Sequence, residues 1–299
     1  MPDQPDQPNQ SVQSNILLGI LLTIAAGSSM AMMDAISKHL TGSFNVVQVL
    51  WSRYFFHAII VVVYLLATRS RSVFKSSRPV TQLQRSFALF AATAAMYTSL
   101  VYLPLADAAA VQHVAPVLVT IISAVFLGEK VGLRRFSAVI AGFIGVLMII
   151  QPGAEFKWPI LLPLITAFML AIFLIQTRTL QEHDDAYTTL FYSTFVGVIV
   201  FIVIVPFFWR QPTLDEFLLM CVQGCLGAIG HLALIKGFKY ATASVLAPFL
   251  YSQLLVSVIL SVTFLADPLT VMMLAGASLI VASGIYIWHR EVYLAEHLI

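Results

Sequence analysis

The sequence contains few charged residues, and this shortage indicates which class of protein it encodes. Only 10% of its 299 residues are Asp, Glu, Lys or Arg, and 60% are hydrophobic, whereas soluble domains carry about 25% charged residues. Such a chain cannot form an ordinary water-facing surface, so we expect an integral membrane protein. Cysteine is also scarce. Cys221 and Cys225 lie one helical turn apart with no neighbouring His or acidic residue, so we interpret them as packing residues.

The sequence also lacks the motifs of several kinds of catalysis. It contains no phosphate-binding loop, so ATP does not drive the protein directly. An intramembrane enzyme would need a nucleophile with a base, or clustered carboxylates. The pair Asp184 and Asp185 has no third carboxylate at a suitable spacing. We therefore expect no catalytic residue, no metal and no cofactor, and keep an intramembrane enzyme only as a weak alternative.

Long apolar runs take the place of the missing charge. A bilayer core needs about 20 apolar residues per helix, and a barrel strand would alternate over about ten. Because the runs are continuous, we predict an all-α integral membrane protein with ten transmembrane helices. The predicted spans are Ile16–Ile36, Val46–Ala67, Phe87–Leu103, Ala106–Leu127, Phe136–Ile150, Pro159–Gln176, Thr188–Phe208, Phe217–Ile235, Ser244–Phe264 and Val271–Trp288.

The sequence repeats itself about halfway along. Leu103–Lys130 and Tyr240–Leu269 each have a small-residue entry, a proline inside an apolar run and an acidic residue at the exit. Placing Glu129 on Asp267 sets the offset in residue number at 138. Further pairs in register at an offset of 139 or 140 are Ser37 with Thr177, Lys38 with Arg178, Leu40 with Leu180, Trp51 with Phe191, and Gly145 with Gly284. We therefore predict one five-helix unit present twice.

Five spans per repeat is an odd number, so the second repeat must enter the membrane from the opposite side. We predict inverted repeats over residues 16–151 and 152–290 around a central cavity, which is typical of secondary transporters. Residues 1–15 are expected to form a disordered cytoplasmic tail, and residues 291–299 a cytoplasmic C-terminal tail.

The distribution of Lys and Arg predicts the orientation. Twelve fall in segments on the side of the N-terminus, three fall on the other side, and Arg53 lies within a span. By the positive-inside rule both termini face the cytoplasm, in what we expect to be a bacterial inner membrane. The twelve are Arg69, Arg71, Lys75, Arg78, Arg85, Lys130, Arg134, Arg135, Arg178, Lys236, Lys239 and Arg290, and the three are Lys38, Lys157 and Arg210.

The fourth span carries a polar stripe on an otherwise apolar helix. At 100° per residue, its members fall within one 100° arc; they are Gln112, His113, Pro116, Thr120 and Ser123. We interpret the stripe as facing a cavity, although His113 could instead bond to a neighbouring helix. Tyr251 is its counterpart in the second repeat, and interrupted helices at corresponding positions indicate a binding site. We expect Pro116 and Pro248 to act as hinges, although they are not in register.

The other candidate substrate contacts are polar or aromatic side chains on the third, sixth and eighth spans: Tyr97, Phe168, Gln176 and His231. Four charged residues are candidates for a gate or an ion pair. Asp34 precedes Lys38 by four residues, so the two can pair on one helix face. Arg53 lies within the second span and should find a carboxylate, with Asp34 or Asp107 nearest in depth. Glu129 and Asp267 are interpreted as caps at the N-termini of the fifth and tenth spans.

These features resemble the EamA-type ten-helix transporters of the drug/metabolite transporter superfamily. The residues that carry the resemblance are Pro116 to Gly128, Glu129, Gly142, Gly145 and Arg53. The second half departs from the pattern at Asp267, where glutamate is more usual, and at Leu254. The resemblance implies alternating access and covers nearly the whole chain, from Ile16 to Arg290. A bacterial branch of these families exports amino acids, including aromatic ones, and the chain is similar to it.

We therefore predict a carrier that exports amino acids or related small amphipathic metabolites, with the bilayer and a small-molecule substrate as its partners. Nucleic acid is not expected, and a monomer suffices. Transport of nucleoside-like compounds, carboxylates or cationic drugs remains an alternative. No carboxylate lies deep in a span, so passive or exchange transport is simpler than a carboxylate proton relay. A receptor is a weaker hypothesis because it does not need two interconvertible halves.

Overall fold

The computed structural model of the chain describes residues 10–115, 117–119, 121–122, 133–150, 158–180, 183–240 and 246–297. All of its regular elements in those ranges are helical. The α-helices are α1 (Gln10–Thr41), α2 (Val46–Thr68), α3 (Pro79–Tyr102), α4 (Leu105–Gln112), α5 (Leu133–Ile150), α6 (Leu161–Leu180), α7 (Ala186–Ile204), α8 (Leu214–Tyr240), α9 (Ser252–Thr263) and α10 (Val271–His297). Short 3₁₀ turns occupy Arg71–Phe74, Trp158–Ile160, Val205–Phe208 and Ala247–Tyr251.

The predicted fold class is confirmed: the protein is an all-α membrane protein of two five-helix repeats, and the described residues form ten α-helices. Five of the described segments are long and apolar enough to cross a bilayer by themselves. They are Ile16–Thr41, Val46–Thr68, Trp158–Thr177, Ala186–Phe208 and Leu214–Tyr240. The outer surface carries many exposed large apolar side chains, Val203 and Val271 among them, as expected for helices that face lipid.

The helices of the two repeats are interleaved in a symmetric way. Helix α1 packs on α8, and its counterpart α6 packs on α3; likewise α2 packs on α8, and α7 packs on α3. The N-caps agree with this register. The side chain of Asn45 caps α2, and the side chain of its counterpart Asp185 caps α7. Each half therefore completes its packing with helices from the other half.

Helices α5 and α10 pack against each other at the periphery. Glycines allow the approach: a Cβ added to Gly145 would lie 2.7 Å from the Gly276 carbonyl oxygen, and one added to Gly276 would lie 2.5 Å from the Gly145 carbonyl oxygen. Glycines also let α8 approach α1 and α2. A Cβ on Gly227 would contact Met33 and His57, and one on Gly230 would contact Met30.

Three helices are longer than the sequence predicted. Helix α1 begins at Gln10, within the segment expected to be disordered, because residues 10–15 contain neither proline nor glycine. Helix α3 begins at Pro79, since proline is favoured at a first helical position. The predicted start at Phe87 was too late because Arg85 was assigned to a loop. Helix α10 continues to His297, into the predicted tail.

The fourth and ninth spans are interrupted, as predicted. Helix α4 ends at Gln112. The next turn is of the tighter 3₁₀ type, because the Val114 N–H bonds to the Val111 carbonyl, three residues back. In the ninth span the 3₁₀ turn Ala247–Tyr251 precedes α9, with Pro248 in its first turn. Pro116, Thr120, Ser123 and Glu129 lie outside the described residues.

Candidate functional site

A cavity with about 980 Å³ of empty space, partly open to solvent, lies between the two repeats. This volume includes solvent at the opening, and the part that water-sized molecules can occupy is about 150 Å³. Helices α1, α2, α3, α4, α6 and α8 line it, together with the 3₁₀ turn before α9 and the first turn of α9. Most of the wall is apolar, so its few charged and polar groups define what it can bind.

Two opposite charges lie on this wall. Asp34 of α1 and Arg53 of α2 both line the cavity and are only 5% and 7% exposed. They interact electrostatically, but the described part of the chain shows no direct ion pair between them. Asp34 instead accepts a hydrogen bond from Gln253 Nε2 at 3.2 Å. A buried charge without a direct partner is unfavourable, so each of these two groups lacks the compensation that an ion pair would give.

Aromatic rings support Arg53. Its guanidinium carbon lies 5.1 Å from the centroid of the Tyr97 ring and 5.5 Å from that of Tyr54, within cation–π distance. The Tyr97 hydroxyl lies 3.5 Å from Gln223 Nε2, which also donates to the Ser37 hydroxyl at 2.9 Å. A buried polar network that spans α1, α3 and α8 thus supports the arginine.

The rest of the wall suits an apolar or ring-bearing group. Met30, Met33 and Met96 line the cavity together with Phe173 and several leucines. Thioether side chains are flexible and polarisable, so they adapt to differently shaped apolar and aromatic ligands. The cavity therefore combines a charged part with a large adaptable apolar part.

The predicted counterparts His113 and Tyr251 meet in the structure. Their ring centroids are 5.9 Å apart. His113 lines the cavity, and its Nδ1 lies 2.7 Å from the Ala109 carbonyl oxygen, while the Leu250 backbone is a second hydrogen-bond partner of the ring. The buried Tyr251 hydroxyl has no hydrogen-bond partner in the described part of the chain, and Tyr251 itself does not line the cavity.

Gln112, Tyr97 and His231 also line the cavity. The His231 ring lies 5.4 Å from the His57 ring, centroid to centroid. Together with His113, Asp34 and Arg53 they are the predicted candidates that the fold brings to one space.

Two candidates on α6 lie away from this space. Phe168 is 46% exposed and belongs to the outer apolar surface, whereas Thr166, Leu170 and Phe173 of the same helix line the cavity. The prediction for Phe168 was wrong in its orientation, because the helix is apolar all round and gives no signal of which face turns inward. Gln176 does not line the cavity either, and its buried Oε1 has no partner among the described residues.

The predicted pair Asp34 and Lys38 does not form. Lys38 Nζ donates to the carbonyls of Leu100 and Leu103, at 2.7 and 2.8 Å. These carbonyls end α3 and need donors, so they bind the lysine away from Asp34. Asp107 lies in the first turn of α4, outside the cavity wall.

Asp267 caps a helix, although not the one predicted. Its carboxylate accepts the Leu105 N–H at 3.1 Å and the Ser261 hydroxyl at 2.9 Å. The acidic residue of the second repeat therefore caps α4 of the first and joins the two halves.

Sequence reasoning missed Gln253, Phe173 and the three methionines, which carry no signal in an apolar chain. It also placed Arg85 in a cytoplasmic loop, whereas this residue is only 1% exposed within α3. One signal was available for it, because the repeat offset pairs Arg85 with Gln223, a polar residue inside an apolar span.

Ten helices in two inverted repeats, built around a cavity with buried charges, define a multi-pass membrane transporter. A model of the EamA-like transporter family matches residues 17–151 and again residues 157–288. The chain therefore belongs to the EamA-like transporter family.

Curated relatives cover most of the chain. An S-adenosylmethionine uptake transporter of Rickettsia conorii is 27% identical over 259 residues, which is 86% of this chain and 88% of that protein. A riboflavin transporter of Vibrio cholerae is 26% identical over 83% of this chain and 85% of its own length. A pseudopaline exporter of Pseudomonas aeruginosa is 25% identical over 89% and 94%. A crystal structure with 18% identity superposes with a TM-score of 0.64 over 92% of this chain and 96% of that chain, which supports the fold alone.

Proposed function

We propose that this transporter carries amino acids and related small amphipathic metabolites out of the cell by alternating access. The observation that carries the proposal is the pair of opposite charges, Asp34 and Arg53, on the wall of one cavity. The described residues show no direct ion pair between them. An α-amino acid brings the two complementary charges on one small group.

In this proposal Arg53 binds the substrate carboxylate and Asp34 binds its ammonium group. A guanidinium bonds a carboxylate through two parallel N–H donors, and the Tyr97 ring beneath Arg53 keeps its planar fork in place. Gln253, already bonded to Asp34, holds the carboxylate in position. Gln112, His113 and His231 provide further polar contacts at the cavity wall.

The side chain of the substrate lies against Met30, Met33, Met96 and Phe173. These residues favour a ring or a branched apolar group without fixing one shape, so we expect a broad specificity. The relatives support a bulky substrate. Two of them are named for S-adenosylmethionine and riboflavin, and S-adenosylmethionine is itself an α-amino acid joined to a nucleoside. A nucleoside-like or carboxylate metabolite is therefore the alternative substrate.

The orientation and coupling follow from the same features. We propose the bacterial inner membrane, with both termini in the cytoplasm. The two repeats alternate between two conformations. When each repeat takes up the conformation that the other had before, the cavity opens to the opposite side of the membrane. Transport is passive or by exchange. The carboxylate of Asp34, within α1, binds the substrate in this proposal and therefore does not serve as a proton relay.

Purified protein in liposomes tests the proposal. Counterflow of labelled phenylalanine, tyrosine and leucine is measured beside riboflavin and S-adenosylmethionine, with empty liposomes as the control. We expect counterflow of at least one amino acid. Movement of riboflavin, with neither S-adenosylmethionine nor any of the three amino acids moved, would overturn the substrate class but not the family.

A further inference from the structure

A buried arginine outside the cavity wall bears on the substrate's net charge. Arg85 of α3 is 1% exposed. Its Nε donates to the Thr177 hydroxyl at 2.6 Å, and its Nη1 donates to the Thr189 carbonyl at 3.1 Å and the Ser193 hydroxyl at 3.0 Å. Each of these acceptors is neutral, and the described part of the chain places no carboxylate within ion-pair distance of Arg85.

The other repeat makes two of these three contacts without a charge. Gln223, the counterpart of Arg85, donates to the Ser37 hydroxyl at 2.9 Å and to the Val49 carbonyl at 3.5 Å. Ser37 and Val49 are in turn the counterparts of Thr177 and Thr189, which accept from Arg85. A neutral amide therefore suffices where α8 packs on α1 and α2, which is the equivalent of the place where α3 packs on α6 and α7. The packing does not explain the charge of Arg85.

The charge of Arg85 lies next to the cavity wall. Its guanidinium carbon lies 4.2 Å from the centroid of the Phe173 ring, which lines the cavity, and Leu89 of the wall follows Arg85 by about one helical turn. Arg85 also interacts electrostatically with His231, another residue of the wall. Low polarity around the site preserves this field.

We propose that Arg85 is a specificity-determining residue that makes the cavity select substrates without net positive charge. The inference rests on the proposed function. Among the described residues that line or adjoin the cavity, Arg53 and Arg85 contribute two positive charges and Asp34 contributes one negative charge. A zwitterion leaves the excess positive charge unchanged, an anion neutralises it, and a cation adds to it. S-adenosylmethionine, whose sulfonium gives it a net positive charge, is then a poor substrate for this chain despite the Rickettsia relatives.

The size of the effect follows from Coulomb's law. A unit charge at roughly 10 Å, in an effective dielectric constant of about 20, changes affinity by a factor of about ten. Because Phe173 separates Arg85 from the cavity, the effect depends on the charge of the ligand and not on a direct contact.

Competition binding in detergent tests this proposal with a ligand series that shares one ring: 3-phenylpropionate, phenylalanine and phenethylamine. Each displaces labelled phenylalanine from wild-type protein, from Arg85→Gln and from Arg85→Lys. The glutamine variant copies the hydrogen bonding of Gln223 and should fold, which its melting temperature checks. The lysine variant keeps the charge and changes the geometry.

We expect the wild type and Arg85→Lys to bind 3-phenylpropionate better than phenethylamine. Arg85→Gln should change that ratio about a hundredfold toward the amine, because each of the two oppositely charged ligands changes its affinity about tenfold. An unchanged ratio in Arg85→Gln, or a wild type that favours the amine, would overturn the role of Arg85 while leaving amino acid binding intact. Wild-type protein that binds no phenylalanine would instead overturn the proposed function, and this inference with it.

Discussion

His113 and Tyr251 are counterparts in the two repeats, and their rings lie 5.9 Å apart, centroid to centroid. Two symmetry-related residues can touch only near the axis that relates them. The pseudo-two-fold axis therefore passes beside the cavity, where the fourth and ninth spans are both interrupted. Rearrangement of either half must change this contact, so the two residues lie where substrate binding and alternation can be coupled.

The Tyr251 hydroxyl is expected to serve binding more than folding. It is buried without a hydrogen-bond partner in the described residues, so Tyr251→Phe removes no bond that stabilises the fold. Tyr251 lies outside the cavity wall but contacts His113 of the wall. We therefore predict an unchanged melting temperature and, through His113, a several-fold weaker apparent affinity for the transported amino acid. Tyr286→Phe, at a 46% exposed position, is the matched control. A melting temperature that drops while affinity stays the same would contradict this role.

Gln223 is expected to stabilise the bundle. Gln223→Leu removes the amide partner of the Ser37 and Ser52 hydroxyls, which keep only their bonds to backbone carbonyls. Each lost hydrogen bond costs about 0.5–1.5 kcal/mol. We predict a clearly lower melting temperature. We also predict weaker substrate binding, because the Tyr97 ring that packs against Arg53 loses its contact with the Gln223 amide. Thermal unfolding in detergent measures the first effect. The exposed variant Gln211→Leu should leave both unchanged, and a Gln223→Leu protein as stable as wild type would refute the prediction.

Asp267 should hold the second repeat to the first. Asp267→Ala removes the acceptor for the Leu105 N–H, and loss of a helix cap costs about 1 kcal/mol. We predict a lower melting temperature and faster hydrogen exchange at the start of α4, measured by mass spectrometry. Asp215→Ala, an exposed carboxylate in the first turn of α8, should change neither. Unaltered exchange at α4 in the Asp267 variant would show that the cap is dispensable.

Asp184 should stabilise a junction between loops of the two halves in a pH-dependent way. Its carboxylate accepts hydrogen bonds from the Ser77 N–H at 2.8 Å, from the Gln82 amide at 2.9 Å and from the Ser76 hydroxyl. Partial burial acts to raise the pKa of Asp184, but these hydrogen bonds outweigh it and lower the pKa below the ordinary 3.8.

A lowered pKa means that the folded state favours the ionised carboxylate, so its stabilisation is present above the unfolded-state pKa and is lost as pH falls through the folded-state pKa. We predict that Asp184→Asn lowers stability by about 1 kcal/mol or less at pH 7, because the site is near solvent. The difference from wild type should shrink below pH 4. A difference that grows on acidification would contradict the assignment.

The sequence was sufficient for the repeat, the helical fold and the correspondence of His113 with Tyr251, because the offsets of 138 to 140 residues link equivalent positions in the two halves. It did not predict that these two rings meet. It was insufficient for the rotation of single helices. In a soluble helix the polar face indicates the outside, but a membrane helix is apolar toward both lipid and protein. Phe168 was therefore assigned to the cavity, while Phe173, further along the same helix, was overlooked.

Charged residues were misplaced for a related reason. Arg85 was counted with the basic loop because a lone charge inside a span is costly, but neutral oxygens of α6 and α7 bind it. Lys38 was paired with Asp34 by spacing alone, whereas the free carbonyls at the end of α3 bind it. These acceptors come from other helices, so no local pattern in the sequence could predict them.

The central claim is that Arg53 and Asp34 bind the two charged groups of one amino acid. Binding of phenylalanine, 3-phenylpropionate and phenethylamine to Arg53→Gln and Asp34→Asn tests it most directly, with wild type alongside. The account predicts that Arg53→Gln weakens only the two ligands with a carboxylate, by about a hundredfold, and that Asp34→Asn weakens only the two with an ammonium group. Equal losses for all three ligands in both variants would contradict it.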